Sequence, residues 1–372
     1  MNGSEVRAIV LVAPHDLRER HFPRPRVTAF DGLLEVEANG VCGTDVHFRA
    51  SAQDTPRILG HEVVGRIVEL GDVARERWSV EIGDRVAVES GVTCGTCRDC
   101  LRGFSQTCSA RLGYGSNVTT DVAPALWGGF AELMYLAPGT VLTKIPDGVS
   151  ADAAAGWLSP LANGIDWTGP IGGDVQTGDT VVIIGPGAQG LSCCLAAKVR
   201  GAGVVLLAGL ARDRRRLEAG RMLGADRLIM VDEEPLESAV REATGGAMAD
   251  VVVDVSGSVS AASLAPRLLR RRGTVVAASP LNANSDVAMP LREMVWNQLR
   301  WQGVLSNRPR SAAAAAALLA TRAADFASLV THRFDLAAAN EAIDTVAGTD
   351  PDAGTDPDVA PVKVVICPGA GS

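Results

Sequence analysis

Apolar residues recur along this chain in two rhythms. Up to about residue 160 they come in short runs: Ala8–Val12, Leu33–Ala38, Val63–Leu70, Arg85–Val88 and Phe130–Leu136. Gly, Pro or Asp breaks off each run, which predicts a β-rich section. From about Asn163 the rhythm changes. Runs rich in Val, Ile and Leu (Thr180–Ile184, Val204–Leu207, Leu228–Val231, Asp250–Val255, Thr274–Ala278) alternate with helical stretches. Those stretches are Ala188–Arg200, Arg214–Leu223, Pro235–Thr244 and Ala261–Arg270. Continuous apolar strands alternating with helices predict a parallel sheet covered on both faces. After about Leu305 only an Ala-rich helix, Ala312–Ala320, and a strand, Val362–Ile366, remain. They are too small for a core of their own and are expected to rejoin the first section. The expected divisions are 1–162, 163–305 and 306–372. A T-D-P-D motif at Thr349–Asp352 returns at Thr355–Asp358, and the composition around it predicts a solvated, mobile loop.

At 372 residues the chain exceeds what one hydrophobic core usually holds, so two domains are expected. With 47% hydrophobic and 21% charged residues, the composition excludes disorder of the whole chain. No apolar run reaches the length of a membrane span. Residues 1–20 lack the apolar core of a signal peptide, so the expected location is the cytoplasm. A net charge of −8 argues against a nucleic-acid surface.

Cysteine spacing carries the first chemistry. Cys94, Cys97, Cys100 and Cys108 form C-x2-C-x2-C-x7-C among glycines and charges. Four thiolates that close can complete a tetrahedron around Zn²⁺, and a site filled by protein on all four corners is structural. Cys193 and Cys194 sit among Leu and Ala and read as small buried side chains.

The strand Thr180–Ile184 runs directly into Gly185-Pro-Gly-Ala-Gln-Gly190, and a helix follows. That context is what a dinucleotide fingerprint requires. Gly185 allows the tight turn, Gly187 lets backbone approach a pyrophosphate, and Gly190 lets helix and strand pack closely. About twenty residues on, an NAD enzyme places an acid against the adenosine ribose. Gly209 stands there instead, followed by Arg212 and the run Arg214–Arg216. The missing carboxylate and a nearby guanidinium lean toward NADP(H). Most of these arginines are expected to be a solvated helix face.

Upstream, Cys42, Thr44, Asp45 and His47 fall within six residues, and Gly60-His61-Glu62 opens a G-H-E-x2-G-x5-G stretch. Cys42, His61 and Glu62 offer thiolate, imidazole and carboxylate, an open zinc set. Each taken singly also has an ordinary structural reading.

Together, the G-H-E stretch, the C-G-T-D-x-H stretch, the four-cysteine lobe and the nucleotide fold resemble the zinc-dependent medium-chain alcohol dehydrogenase/reductase family, and its polyol-dehydrogenase-like members in particular. The resemblance spans nearly the whole chain. It implies an α/β protein: a GroES-like β-rich catalytic domain bearing the lobe 94–108, a doubly wound Rossmann coenzyme domain, and a returning C-terminal segment. It implies a homodimer or homotetramer. It further implies two zinc ions, one held by the lobe and one by Cys42 and His61, with Glu62 able to ligate. Asp45 would orient the ligand histidine, Thr44 would contact the substrate oxygen, and His47 would be the outer proton acceptor. One departure stands out. The stretch Trp157-Leu-Ser-Pro-Leu161 matches the family's E-P-L pattern with Ser159 in place of the acid. The expected catalytic set is therefore Cys42, His61, Glu62 and water. The activity implied is hydride transfer between NAD(P)(H) and a small alcohol or carbonyl compound. The alternative is a zinc-free reductase of an activated double bond.

Overall fold

The computed structural model describes residues 5–51, 55–278, 286–348 and 360–369. The T-D-P-D repeat lies outside them. Two compact units are present. One takes the described residues up to Ser159, those from Arg308 to Gly348 and those from Lys363 on; the other takes Pro160–Asn307 with 360–362.

The first unit is built on a seven-stranded sheet whose centre is the strand Gly32–Val41. It pairs antiparallel with Glu62–Leu70 and with Lys363–Ile366, so the C-terminal strand closes a sheet begun more than 300 residues earlier. Alternation along Gly32–Val41 sends Leu34 and Val36 into one apolar cluster, with Ile67 and Met134, while Val41 joins another with Ile58 and Phe130. A short helix, Gly43–Ala50, follows that strand at once. It starts where it does because Cys42 is extended and caps it. The Cys42 sulfur accepts from the Thr44 N–H, and the Asp45 carboxylate bonds back to the Cys42 N–H at 3.0 Å.

The second unit contains a six-stranded parallel sheet. Its spatial order is Arg227–Met230, Val204–Gly209, Thr180–Ile184, Ala249–Asp254, Leu269–Ala277, Arg300–Gly303. Reading outward from the first strand in sequence, this is the 3-2-1-4-5-6 arrangement of a Rossmann fold. Val182, Leu206 and Val252 on the inner strands are fully buried, as a sheet covered on both faces demands.

Two expectations need correction. The stretch Ala261–Arg270 is not one helix. The helix is Val259–Leu264, a 3₁₀ turn with Pro266 follows, and Leu269 already belongs to the next strand. The segment before Asn163 is not β-rich to its end, because Ala151–Thr168 is an 18-residue helix with Pro160 inside it.

Candidate active site and metal centres

Cys42 and His61 come from opposite ends of the sheet strands they flank. Cys42 follows the strand Gly32–Val41, and His61 precedes its antiparallel neighbour Glu62–Leu70. The pairing Gly40↔Glu62 brings these two ends together. Cys42 Sγ lies 3.2 Å from His61 Nε2. Tetrahedral Zn²⁺, with bonds of about 2.3 Å to sulfur and 2.0 Å to nitrogen, holds such a pair a few tenths of an ångström further apart. The donor pair therefore fits that ion with a small opening. On the far side of the imidazole, His61 Nδ1 is 3.3 Å from Asp45 Oδ1, and Asp45 is fully buried. Neither atom has a well-aligned hydrogen bond. Burial pushes the His61 imidazole down, but Asp45 and Cys42 on either side outweigh it and hold the ring well above its ordinary value. Burial likewise pushes the Asp45 carboxyl up, and His61 reverses that shift. The ligand atoms of Cys42, Asp45 and His61 all lie within 4.8 Å of one another.

The structure does not bring Glu62 into this group, although the sequence reading placed it among the expected ligands. Successive side chains of an extended segment point to opposite faces, so Glu62 turns away from His61. Its Oε2 meets Lys363 Nζ at 2.5 Å, and both residues are almost fully buried. Lys363 also donates to the Val41 carbonyl at 3.3 Å. Gly40 makes room for this pair, since a Cβ there would run into the Glu62 carboxylate and the Ala155 carbonyl. Ser159 is half-buried on the Ala151–Thr168 helix. Thr44 and His47 are exposed on the Gly43–Ala50 helix, within a turn of one another.

Sequence reading missed Lys363. The available signal was a lone charge opening an apolar strand, Lys363-Val-Val-Ile366, which must find a partner when the strand is buried.

The four lobe cysteines come together, with Cys94 Sγ 3.6 Å from Cys108 Sγ, close to the edge of a ZnS₄ tetrahedron. The backbone N–H groups of Thr96 and Cys97 lower the Cys94 thiol to about 6. Backbone donors aimed at sulfur stabilise the thiolate that a metal needs. Cys193 and Cys194 are fully buried on the helix Ala188–Val199, and burial pushes the Cys193 thiol up to about 12.

In the second unit the three glycines divide their work. Gly185 adopts φ +110°, open to glycine at little cost. A Cβ on Gly190 would strike the Gly185 carbonyl, so helix and strand touch there. A Cβ on Gly187 would meet nothing, and Gly187 caps the helix Ala188–Val199 without a side-chain bond. The helix N-terminus thus keeps free N–H groups beside an open approach, which suits a phosphate. Gly209 ends the neighbouring strand and is buried; a Cβ there would lie 2.7 Å from Pro186 Cγ. Arg215 and Arg216 bond the carbonyls of Ala360 and Pro361, whereas Arg212 and Arg214 are exposed. The run of arginines is therefore divided rather than one solvated face.

Two family models match the chain. Residues 29–147 match the alcohol dehydrogenase GroES-like domain, and residues 188–321 match the zinc-binding dehydrogenase domain. A Mycobacterium tuberculosis protein named "Probable alcohol dehydrogenase adh" is 38% identical over 93% of this chain and 96% of its own length. A sorbitol dehydrogenase of Halalkalibacterium halodurans is 32% identical over 84% of this chain and 88% of its own. Among solved structures, a zinc-binding dehydrogenase from Sinorhizobium meliloti 1021, bound to NADP, superimposes with a TM-score of 0.83 at 27% identity. It covers 98% of this chain and 100% of its own.

Proposed function

We propose, since the chain belongs to the zinc-type medium-chain alcohol dehydrogenase family, that it interconverts a small alcohol and its carbonyl compound with NAD(P)(H) and zinc. The observation that carries this reading is the 3.2 Å approach of the Cys42 thiol to His61 Nε2, with Asp45 buried behind the ring. When bound, zinc supplies Lewis acidity toward the substrate oxygen and the nicotinamide supplies the hydride acceptor or donor. Cys42 and His61 would hold the ion. Asp45, beside Nδ1, favours the ring orientation in which Nε2 faces Cys42. The Thr44 hydroxyl would accept the substrate proton while releasing its own, and His47, exposed on the same helix, would pass that proton to solvent. Glu62 stays with Lys363 and supports the sheet beneath the site. The lobe cysteines hold a second, structural zinc.

Gly187 and the helix it caps receive the pyrophosphate of the coenzyme. The reading leans to NADP(H). Gly209 leaves the ribose edge without an acid, and Arg212 is exposed three residues past the end of the strand Val204–Gly209. The relative bound to NADP supports the same lean. A homo-oligomer is proposed as well. The edge strand Arg300–Gly303 and the adjoining helix Leu291–Trp296 leave Leu291, Val295 and Trp296 more than 60% exposed, a surface that second copies of the chain would cover. No described helix is long and apolar enough to cross a membrane.

The test is zinc analysis of the purified chain, coupled to fluorescence titration with NADPH and NADH and to turnover of a panel of small alcohols and polyols. Two zincs and coenzyme-dependent oxidation are expected. A chain holding only the lobe zinc that leaves the alcohols untouched and reduces an activated double bond with NAD(P)H would instead favour the zinc-free reductase.

A further inference from the structure

We propose that Arg57 is a positioning residue for His61, acting through the ring of Phe48. The inference rests on the reading that Cys42 and His61 hold zinc. Arg57 is 2% exposed, on the two-residue strand that leads to Gly60-His61. Its guanidinium donates to the Phe48 carbonyl at 3.1 Å and to the Ser116 carbonyl. It also lies over the Phe48 ring, with Cζ 4.8 Å from the centroid. A buried guanidinium is costly unless its donors are used, and this one ties the Phe48 ring to the backbone carbonyls of Phe48 and Ser116. Phe48 belongs to the last turn of the Gly43–Ala50 helix, where a cation is favoured by the helix dipole.

Phe48 also meets the site. Its ring meets the His61 ring edge to face, with centroids 6.4 Å apart and planes at 68°. That contact matters because Asp45 does not lock the imidazole alone. The Nδ1–Oδ1 approach is 3.3 Å and is not aligned as a hydrogen bond. Rotation of the ring about its Cβ–Cγ bond is therefore limited by Phe48, and Phe48 is limited by Arg57. Groups that orient a ligand histidine typically change metal affinity 10–100-fold when removed.

The test uses the full chain loaded with zinc. Affinity is measured by chelator competition, with the four-cysteine lobe as the internal reference, and Co²⁺ absorption of the open site reports its geometry. R57M and F48L should each weaken zinc at the open site about 10–100-fold, alter the Co²⁺ spectrum, and leave the lobe unchanged. F48L keeps the bond from Arg57 to the backbone carbonyl, so it isolates the ring. R57K, which keeps the charge without the planar stack, should fall between R57M and the parent. If R57M fails to fold, F48L carries the test. Wild-type zinc affinity and spectrum in F48L, or in a folded R57M that merely melts earlier, overturn the proposal. A parent chain that binds zinc only in the lobe overturns the underlying reading, and this inference with it.

Discussion

Glu62 and Lys363 lie 301 residues apart in sequence and 2.5 Å apart at Oε2 and Nζ, in a site that excludes nearly all solvent from both side chains. A pair so buried gains little over two apolar residues of the same shape, yet removing one member strands the other charge. Lys363→Met is expected to destabilise the fold by about 3–5 kcal/mol. Glu62→Gln combined with Lys363→Met should recover much of that loss. Urea unfolding of the parent, both single variants and the double variant gives the coupling. Additive single effects would show that the pair is not coupled.

The same variants decide the ligand question. With its carboxylate committed to Lys363, Glu62 is not needed for metal, so Glu62→Gln should keep two zincs per chain while Cys42→Ser loses one. Elemental analysis after desalting reads the outcome. Loss of zinc in Glu62→Gln would restore Glu62 to the ligand set.

Cys97→Ala should lose one zinc, keep the other, and lower the melting temperature. Three thiolates no longer close the tetrahedron, and the lobe has little apolar core, since Leu101 and Phe104 are exposed. Retention of both ions in the purified variant would remove the lobe as a zinc site.

Two glycines of the fingerprint should respond in opposite ways. Gly187→Ala adds a methyl group to open space, so stability should be unchanged while NAD(P)H binding weakens at least tenfold. Gly190→Ala drives a methyl group into the Gly185 carbonyl, so stability and coenzyme binding should fall together. Thermal melts beside fluorescence titrations separate the two. Full coenzyme affinity in Gly187→Ala would place the pyrophosphate elsewhere.

Coenzyme choice is best probed at Arg212. Gly209→Asp would press its Cβ against Pro186 inside the fingerprint, so it should weaken both coenzymes rather than exchange one for the other. Arg212→Ala removes an exposed guanidinium and leaves the packing alone. It should lower kcat/KM for NADPH about tenfold more than for NADH, the size of one charge-assisted hydrogen bond. Equal losses would leave Arg212 without a part in the choice.

The regular parts of this protein were legible because local pattern and tertiary setting agree. Past their first residues, Thr180–Ile184 and Val204–Gly209 are apolar and buried. The four-cysteine lobe was legible because all its donors lie within fifteen residues. Elements whose local signals oppose their structure were not. Pro160 sits inside an 18-residue helix, and Arg300–Gly303 is a short polar edge strand with no apolar run to mark it. At the site, the cluster of Cys42 and His61 could be read from sequence. The turn of Glu62 toward Lys363 could not, because the lysine arrives from a strand whose partner is fixed only by the folded sheet. Arg57 was equally hidden: nothing in a Pro-Arg-Ile triplet tells that the guanidinium is buried over a phenylalanine.

The pairing of Lys363–Ile366 with the strand that ends at Val41 also sets an order of events during synthesis. Residues 160–307 are nearly all the second unit needs, so its sheet can form while the ribosome is still adding residues. The first unit cannot close so early. Its central strand must wait about 320 residues for the neighbour that covers Val41 and neutralises Glu62. During that interval Glu62 lacks Lys363 and the Asn39–Val41 end of the central strand lacks its neighbour, an edge of the kind that chaperones shield. Nascent chains stalled just before Lys363 should thus carry a folded nucleotide-binding unit and a protease-sensitive catalytic unit on the same polypeptide.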